Sequence, residues 1–210
     1  MPLDSYRTLA KRAEAELIEK RSRFLAMASP VPHEEEALSL LQDARSKYWD
    51  ASHNVYAYAL REGQLRRFSD DGEPQGTAGM PVLDVLQKER VTDCIVIVTR
   101  YFGGVLLGVG GLVRAYTKAA KLALDAAGVV TMRRAAQCAL VCDYALHGRV
   151  GAVLAACGAV IEDTAFSDRV AIRFLLDLRE TGRCEAALRD ATGGTIAFDV
   201  IGEQFAPLGD

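Results

Sequence analysis

Residues 94–128 read CIVIVTRYFGGVLLGVGGLVRAYTKAAKLALDAAG. Cys94 to Thr99 is a continuous apolar run, the pattern of a strand buried on both faces. The glycine-rich segment after it suits neither regular element, and from Leu112 the period changes. Leu112, Tyr116, Ala119 and Ala123 fall at i, i+4, i+7 and i+11, one face of a helix, and Gly128 is its natural stop. Strand, glycine loop, helix and stop form the organising unit, and the segments on either side read as further strands and helices of an α+β protein.

Upstream, Ala13 to Lys20 and Ser22 to Val31 predict a hairpin. Glu34 to Tyr48 predicts a helix whose first-turn acids and last-turn Arg45 and Lys47 match the macrodipole. His53 to Leu60 alternates as a strand, and a second helix is expected to begin near Pro81 and carry Val82, Val85 and Leu86. Downstream, residues 128–134 read as a linker because the charge balance changes there. Residues 1–132 hold 17 Lys+Arg and 17 Asp+Glu, and residues 133–210 hold 8 and 11. Beyond it come a strand at Ala136 to Val141, a helix at Gly148 to Cys157, and strands at Ala159 to Phe166 and Val170 to Leu178. A helix capped by Thr181 and a last strand from Thr195 to Ile201 complete β-α-β-β-α-β, the ferredoxin-like split motif. The expected domains are therefore 1–130 and 135–210. The RNA-stacking version of that motif is not supported, since Arg169 to Phe174 has one aromatic and no glycine.

Composition is that of an ordinary globular protein: 210 residues, half of them hydrophobic, with 25 Lys+Arg against 28 Asp+Glu. The longest uncharged apolar stretch, Tyr101 to Val113, is well short of the ~20 residues of a spanning helix, and no apolar signal region opens the chain. A cytoplasmic protein without membrane contact is expected. The five cysteines are odd in number, lack a C-x-x-C pair and sit mostly in apolar runs, so they read as buried hydrophobes rather than a zinc or disulfide framework. No metal, cofactor or catalytic residue is assigned.

Two segments concentrate chemistry-bearing residues. The first, Arg66 to Gly79, places Asp70, Asp71 and Glu73 among glycines and a proline. Clustered carboxylates hold Mg²⁺ or raise one another's pKa for acid–base work; alternatively Asp71-Gly72 is a tight turn before a helix, with aspartates bonding backbone. The second is the loop bearing Gly103, Gly104, Gly108, Gly110 and Gly111, where exposed N–H groups and a helix dipole can receive an anion, or where backbone simply passes close to a neighbour. It fails the Walker A pattern, with Val109-Gly110 where Lys and Ser/Thr belong, and fails the dinucleotide fingerprint at Val113. On the helix after it, Arg114, Lys118 and Lys121 repeat the apolar spacing two residues later, about 200° away, which makes a basic stripe able to meet phosphates. His53 could pair with a carboxylate, while His33 and His147 carry no motif.

Four motifs resemble the IMPACT family, whose bacterial members are called YigZ-like: Lys20-Arg-Ser-Arg-Phe24, His53-Asn54-x-Tyr56-Ala57-Tyr58, Ser69 to Gly79, and Arg100-Tyr-Phe-Gly-Gly through Tyr116. The likeness covers about residues 20–125, and the C-terminal module matches the second domain of the bacterial members. It implies an N-terminal domain with the fold of domain 2 of ribosomal protein S5 and a ferredoxin-like C-terminal domain, a pair also adjacent in elongation factor G. Eukaryotic relatives look like translation regulators that bind a protein activator of a stress-response kinase; their RWD domain has no counterpart in this sequence. The S5-like fold also includes small-molecule kinases, whose typical serines are missing around Gly108 to Gly111. The resemblance points to His53, Asp70, Asp71, Glu73, Arg100, Gly103, Gly104, Gly108, Gly110, Gly111 and Arg114 as lining one cleft. It implies a non-catalytic, translation-associated factor that binds RNA, the ribosome or a protein. The alternative is an enzyme or sensor holding a phosphorylated ligand between the carboxylates and the loop.

Overall fold

Cys94 to Thr99 is the centre around which the first half folds. In the computed structural model, which describes residues 5–208, the elements run β1 (Ser5–Leu9), β2 (Ala13–Glu19), β3 (Ser22–Pro30), α1 (Glu34–Lys47), β4 (His53–Ala59), β5 (Arg66–Ser69), α2 (Gly79–Lys88), β6 (Cys94–Tyr101), α3 (Val109–Ala127) and β7 (Val129–Cys142). There follow α4 (Tyr144–Ala156), β8 (Val160–Phe166), β9 (Val170–Asp177), α5 (Thr181–Thr192) and β10 (Asp199–Ala206). The protein is α+β, with two five-stranded sheets. Arg7–Val130 form one compact unit, and Ser5 and Tyr6 belong with the residues from Thr131 onward in the other. The boundary thus falls inside β1 and inside β7.

The first unit's sheet has the antiparallel order β2-β3-β6-β4-β5. Ile95 and Ile97 of the central strand pack with Met27, Val31, Leu41 and Tyr58 on the α1 face. Val96 and Val98 pack on the other face with Phe24, Val55, Leu86, Tyr116 and Leu124, beneath α2 and α3. A strand covered on both sides needs no polar alternation, which is why its sequence is uniformly apolar. Each large side chain fully buried there, Phe24 and Leu86 among them, contributes roughly 1.5–3 kcal/mol of transfer free energy. The alanine-rich face of α3, with Ala115, Ala119, Ala120 and Ala123 buried, lets that helix lie close on the sheet.

In the second unit the antiparallel order is β10-β7-β9-β8, with β1 also paired to β7. Strand order and βαββαβ connectivity are those of the split motif. Val150 and Leu154 of α4 and Cys184 and Leu188 of α5 close the core on Cys138, Leu140, Ile172 and Phe174.

Several sequence expectations change. The linker expected at residues 128–134 is part of β7, because β-branched Val129, Val130 and Thr131 extend the strand directly from the Gly128 stop. β1 and β5 are additional strands, too short to show a period. α2 starts at Gly79, two residues before Pro81, which sits in its first turn as expected. Thr181 is the first residue of α5 and does not cap it; its hydroxyl donates to the Leu178 carbonyl at 2.9 Å. The last strand lies later than Thr195 to Ile201, at Asp199–Ala206, where it pairs with Arg133 to Ala139.

All five cysteines are free and buried. Burial, with Asp93 adjoining, pushes the Cys94 thiol up to about 12, and burial pushes Cys138 up to about 11. Because the thiolate is the nucleophile, a thiol-reactive disulfide reagent is expected to find no fast-reacting cysteine in the native protein and five after denaturation. A rapid native phase of one equivalent or more would contradict this packing. Among the described residues no helix is long and apolar enough to cross a membrane.

Candidate functional site

The carboxylate segment between β5 and α2 is a turn. Asp71 (φ 45°) and Gly72 (φ 87°) occupy its centre, and Glu73 N–H donates to the Asp70 carbonyl at 3.0 Å. The two positive φ values are those of a type I′ turn. They send the three carboxylates in different directions. Asp70 accepts from the N–H groups of Gly76 (2.8 Å), Ala78 (3.0 Å) and Gly79 (2.8 Å), which caps α2 from eight or nine residues upstream. Ala78 itself has no side chain able to cap, so this carboxylate explains why the helix begins at Gly79.

Asp71 accepts from the Asn54 N–H at 2.6 Å and from Arg45 Nη2 at 3.3 Å. Its carbonyl lies 2.8 Å from His53 Nδ1; a carbonyl can only accept, so Nδ1 carries the proton. His53 Nε2 then faces Glu73 Oε1 at 3.8 Å. Glu73, 8% exposed, is the inner member of the network: its Oε1 accepts from Arg100 Nη1 at 2.6 Å and from the Tyr116 hydroxyl at 2.8 Å. Burial and the Glu73 carboxylate both raise the Tyr116 pKa, so the phenol stays protonated and donates. Arg100, 5% exposed, also donates to Ser22 Oγ at 3.2 Å, and its guanidinium lies 5.4 Å from the Phe24 ring centroid and 5.5 Å from that of Phe102. The carboxylates are thus fasteners between β4, β6, α2 and α3. Among the described residues no three His, Cys, Asp or Glu side chains lie so as to share a metal ion, and the Mg²⁺ alternative finds no common site.

The glycine loop starts where this network ends. Gly103 N–H donates to the same Ser22 Oγ at 3.2 Å. A Cβ at Gly103 would lie 2.1 Å from the Arg21 carbonyl carbon, so only glycine allows the loop to press against the β2–β3 turn. Gly103→Ala is accordingly expected to destabilise the first unit by about 3 kcal/mol or more, since the new Cβ meets the Arg21–Ser22 backbone, which cannot yield cheaply. Urea unfolding checks this, and a loss under about 1 kcal/mol would mean that the turn moves freely.

Gly108 precedes α3 with φ 72° and no side-chain cap. The first intrahelical bond runs from Leu112 N–H to the Gly108 carbonyl at 2.9 Å, so the N–H groups of Val109, Gly110 and Gly111 have no acceptor within the helix. Beside them is a concavity of about 250 Å³ lined by Glu19, Lys20, Leu107, Gly111, Arg114, Ala115 and Lys118. Arg114 Nη1 reaches within 3.4 Å of where a Gly110 Cβ would sit.

The expected site residues therefore fall into two groups. His53, Asp71, Glu73 and Arg100 form one hydrogen-bonded network, with Asp70 turned away into α2. Of the expected residues Gly111, Arg114 and Lys118 line the concavity; Gly103, Gly104, Gly108 and Gly110 belong to the loop leading to it. The basic stripe is shorter than expected: Arg114 and Lys118 are exposed, but Lys121 is bound by Glu89 at 2.9 Å and Asp125 at 2.5 Å. Lys20 and Arg21, brought in by the β2–β3 turn, take its place. The signal for them was present, since both stand in the motif Lys20 to Phe24, but only folding joins them to the loop, Lys20 across the concavity and Arg21 at Gly103. Ser22, Asn54 and Tyr116 were likewise missed as network members.

Fold and network together define a two-unit α+β protein in which an Arg–Glu–Tyr cluster clamps a glycine loop onto a basic turn. Residues 20–124 match the Impact N-terminal domain, and residues 140–195 match a domain of unknown function. The IMPACT family member YvyE of Bacillus subtilis is 35% identical over 91% of this chain and 89% of its own length, and YigZ of Escherichia coli is 33% identical over 88% and 92%. A crystal structure of a hypothetical protein superposes with a TM-score of 0.61 at 30% identity, spanning 96% of this chain and 100% of that one. The chain belongs to the IMPACT family.

Proposed function

We propose that the protein is a non-catalytic cytoplasmic factor associated with translation, and that it works by binding RNA, in the ribosome or free, through phosphate contacts at the start of α3. One observation carries the reading. Lys20, Arg114 and Lys118, exposed and without an acidic partner among the described residues, line the concavity with Gly111 at the start of α3, where the N–H groups of Val109, Gly110 and Gly111 have no acceptor within the helix, and exposed Arg21 follows Lys20 in the turn that abuts the loop at Gly103. Cations and helix N-terminal amides are the groups that receive phosphate. Kinship supports the translation-associated part of this reading, since the resemblance implies translation regulators among the eukaryotic members. The overall charge of −3 and the nearby Glu19 make for modest, salt-sensitive affinity rather than tight binding.

The test is sedimentation of the tagged protein with ribosomal fractions from its own cells. It is expected to travel with subunits at low salt and to be released at moderate salt. Remaining at the top of the gradient in both would sink the proposal. The size of the concavity favours a second reading, a small phosphorylated ligand. Thermal stabilisation by phosphorylated metabolites together with no ribosome association would select it.

A further inference from the structure

We propose that the RNA this surface takes is single-stranded, with bases stacking on Phe102 and Trp49 while the phosphates follow Lys20, Arg21 and Arg114. The inference rests on the RNA-binding reading above and adds the strand form and the residues that hold it. Trp49 is 82% exposed and Phe102 48% exposed, unusual for side chains whose burial is so favourable.

Neither ring hangs on a loose segment. The turn carrying Trp49 is closed by Ala51 N–H on the Tyr48 carbonyl at 3.0 Å. It is tied to the end of β6 by Ser52 N–H on the Arg100 carbonyl (2.9 Å), Phe102 N–H on Ser52 Oγ (3.2 Å) and the Tyr101 hydroxyl on Asp50 (2.8 Å). Phe102 is backed by the Arg100 guanidinium, and the next residue, Gly103, abuts Arg21. Hydrogen bonds thus tie the turn that carries Trp49 to Phe102, and Gly103, next in the chain, abuts the Arg21 backbone of the β2–β3 turn. Aromatic faces beside a cationic track are what a single strand requires: its unstacked bases take the rings and its phosphates the charges. In a duplex the bases are already stacked and cannot reach them. The same charges argue against an apolar protein surface, which would have to bury them.

Trp49 is the sole tryptophan, so its fluorescence reports directly on the platform. The full chain is titrated at low salt with a short oligouridine and with a duplex RNA of equal length, and binding is also followed by anisotropy of a labelled strand. The single strand is expected to bind more tightly and to quench Trp49. Trp49→Ala and Phe102→Ala, both at exposed positions, are each expected to weaken it by about 5- to 100-fold. If duplex and single strand bind equally with unquenched fluorescence, or both variants bind as the parent does, stacking is overturned while salt-dependent phosphate binding stands. If neither RNA binds at any salt, as a protein partner would require, the RNA reading itself fails and the inference with it.

Discussion

Glu73→Gln is expected to cost the first unit about 3–5 kcal/mol of unfolding free energy, because it leaves the Arg100 guanidinium buried without its counter-charge. The two side chains are nearly inaccessible and meet at 2.6 Å, and Tyr116 donates to the same carboxylate oxygen. Glutamine keeps the shape but offers a neutral acceptor, so the loss reports on charge rather than on a cavity. Combining Glu73→Gln with Arg100→Met removes both charges, and the double variant is expected to be less destabilised than the sum of the two single ones, with a coupling of about 0.5–3 kcal/mol. Urea titration of the four proteins measures it. A single-variant loss below about 1 kcal/mol would mean that water reaches Arg100 and that the network does not hold the glycine loop in place.

The triple variant Lys20→Glu, Arg114→Glu, Lys118→Glu is expected to bind RNA at least about 100-fold more weakly at low salt and to lose most of the salt dependence. Four phosphate contacts at about 0.7 each give the parent a log–log salt slope near −2.8, a loss of about 50-fold between about 50 and 200 mM salt. With three of the four cations reversed, only Arg21 still attracts phosphate. Lys121→Ala is the control, expected to change binding little, because Glu89 and Asp125 already neutralise that lysine. An unchanged slope in the triple variant, or a large effect of Lys121→Ala, would move the binding surface away from the start of α3.

Much of the architecture was legible because it is written in local periods. The apolar run of β6, the i, i+4, i+7 face of α3, the Gly128 stop and the βαββαβ order all follow from short-range pattern. The failures have a common cause. Residues 128–134 read as a linker from charge, yet a strand forms there because its partners come from remote parts of the chain. The start of α2 near Pro81 was legible, but its exact position at Gly79 is set from outside the helix, where Asp70 accepts from the N–H groups of Ala78 and Gly79.

The site divides in the same way. Residue type and spacing marked His53, Asp70, Asp71, Glu73, Arg100 and the glycines as unusual, and they left open whether the acids form a turn or a reactive cluster. Only the tertiary structure decided for the turn, since a carboxylate's role depends on which N–H groups surround it. It also removed Lys121 from the basic stripe and supplied Lys20 and Arg21, because ion pairing and the approach of the β2–β3 turn to Gly103 join residues far apart in the chain. The sequence by itself determined most of the elements, the two-part α+β plan and the family. Which charges remain free to meet a partner was decided by folding, because neutralising a charge requires a neighbour within a few ångströms and sequence distance carries no information about that.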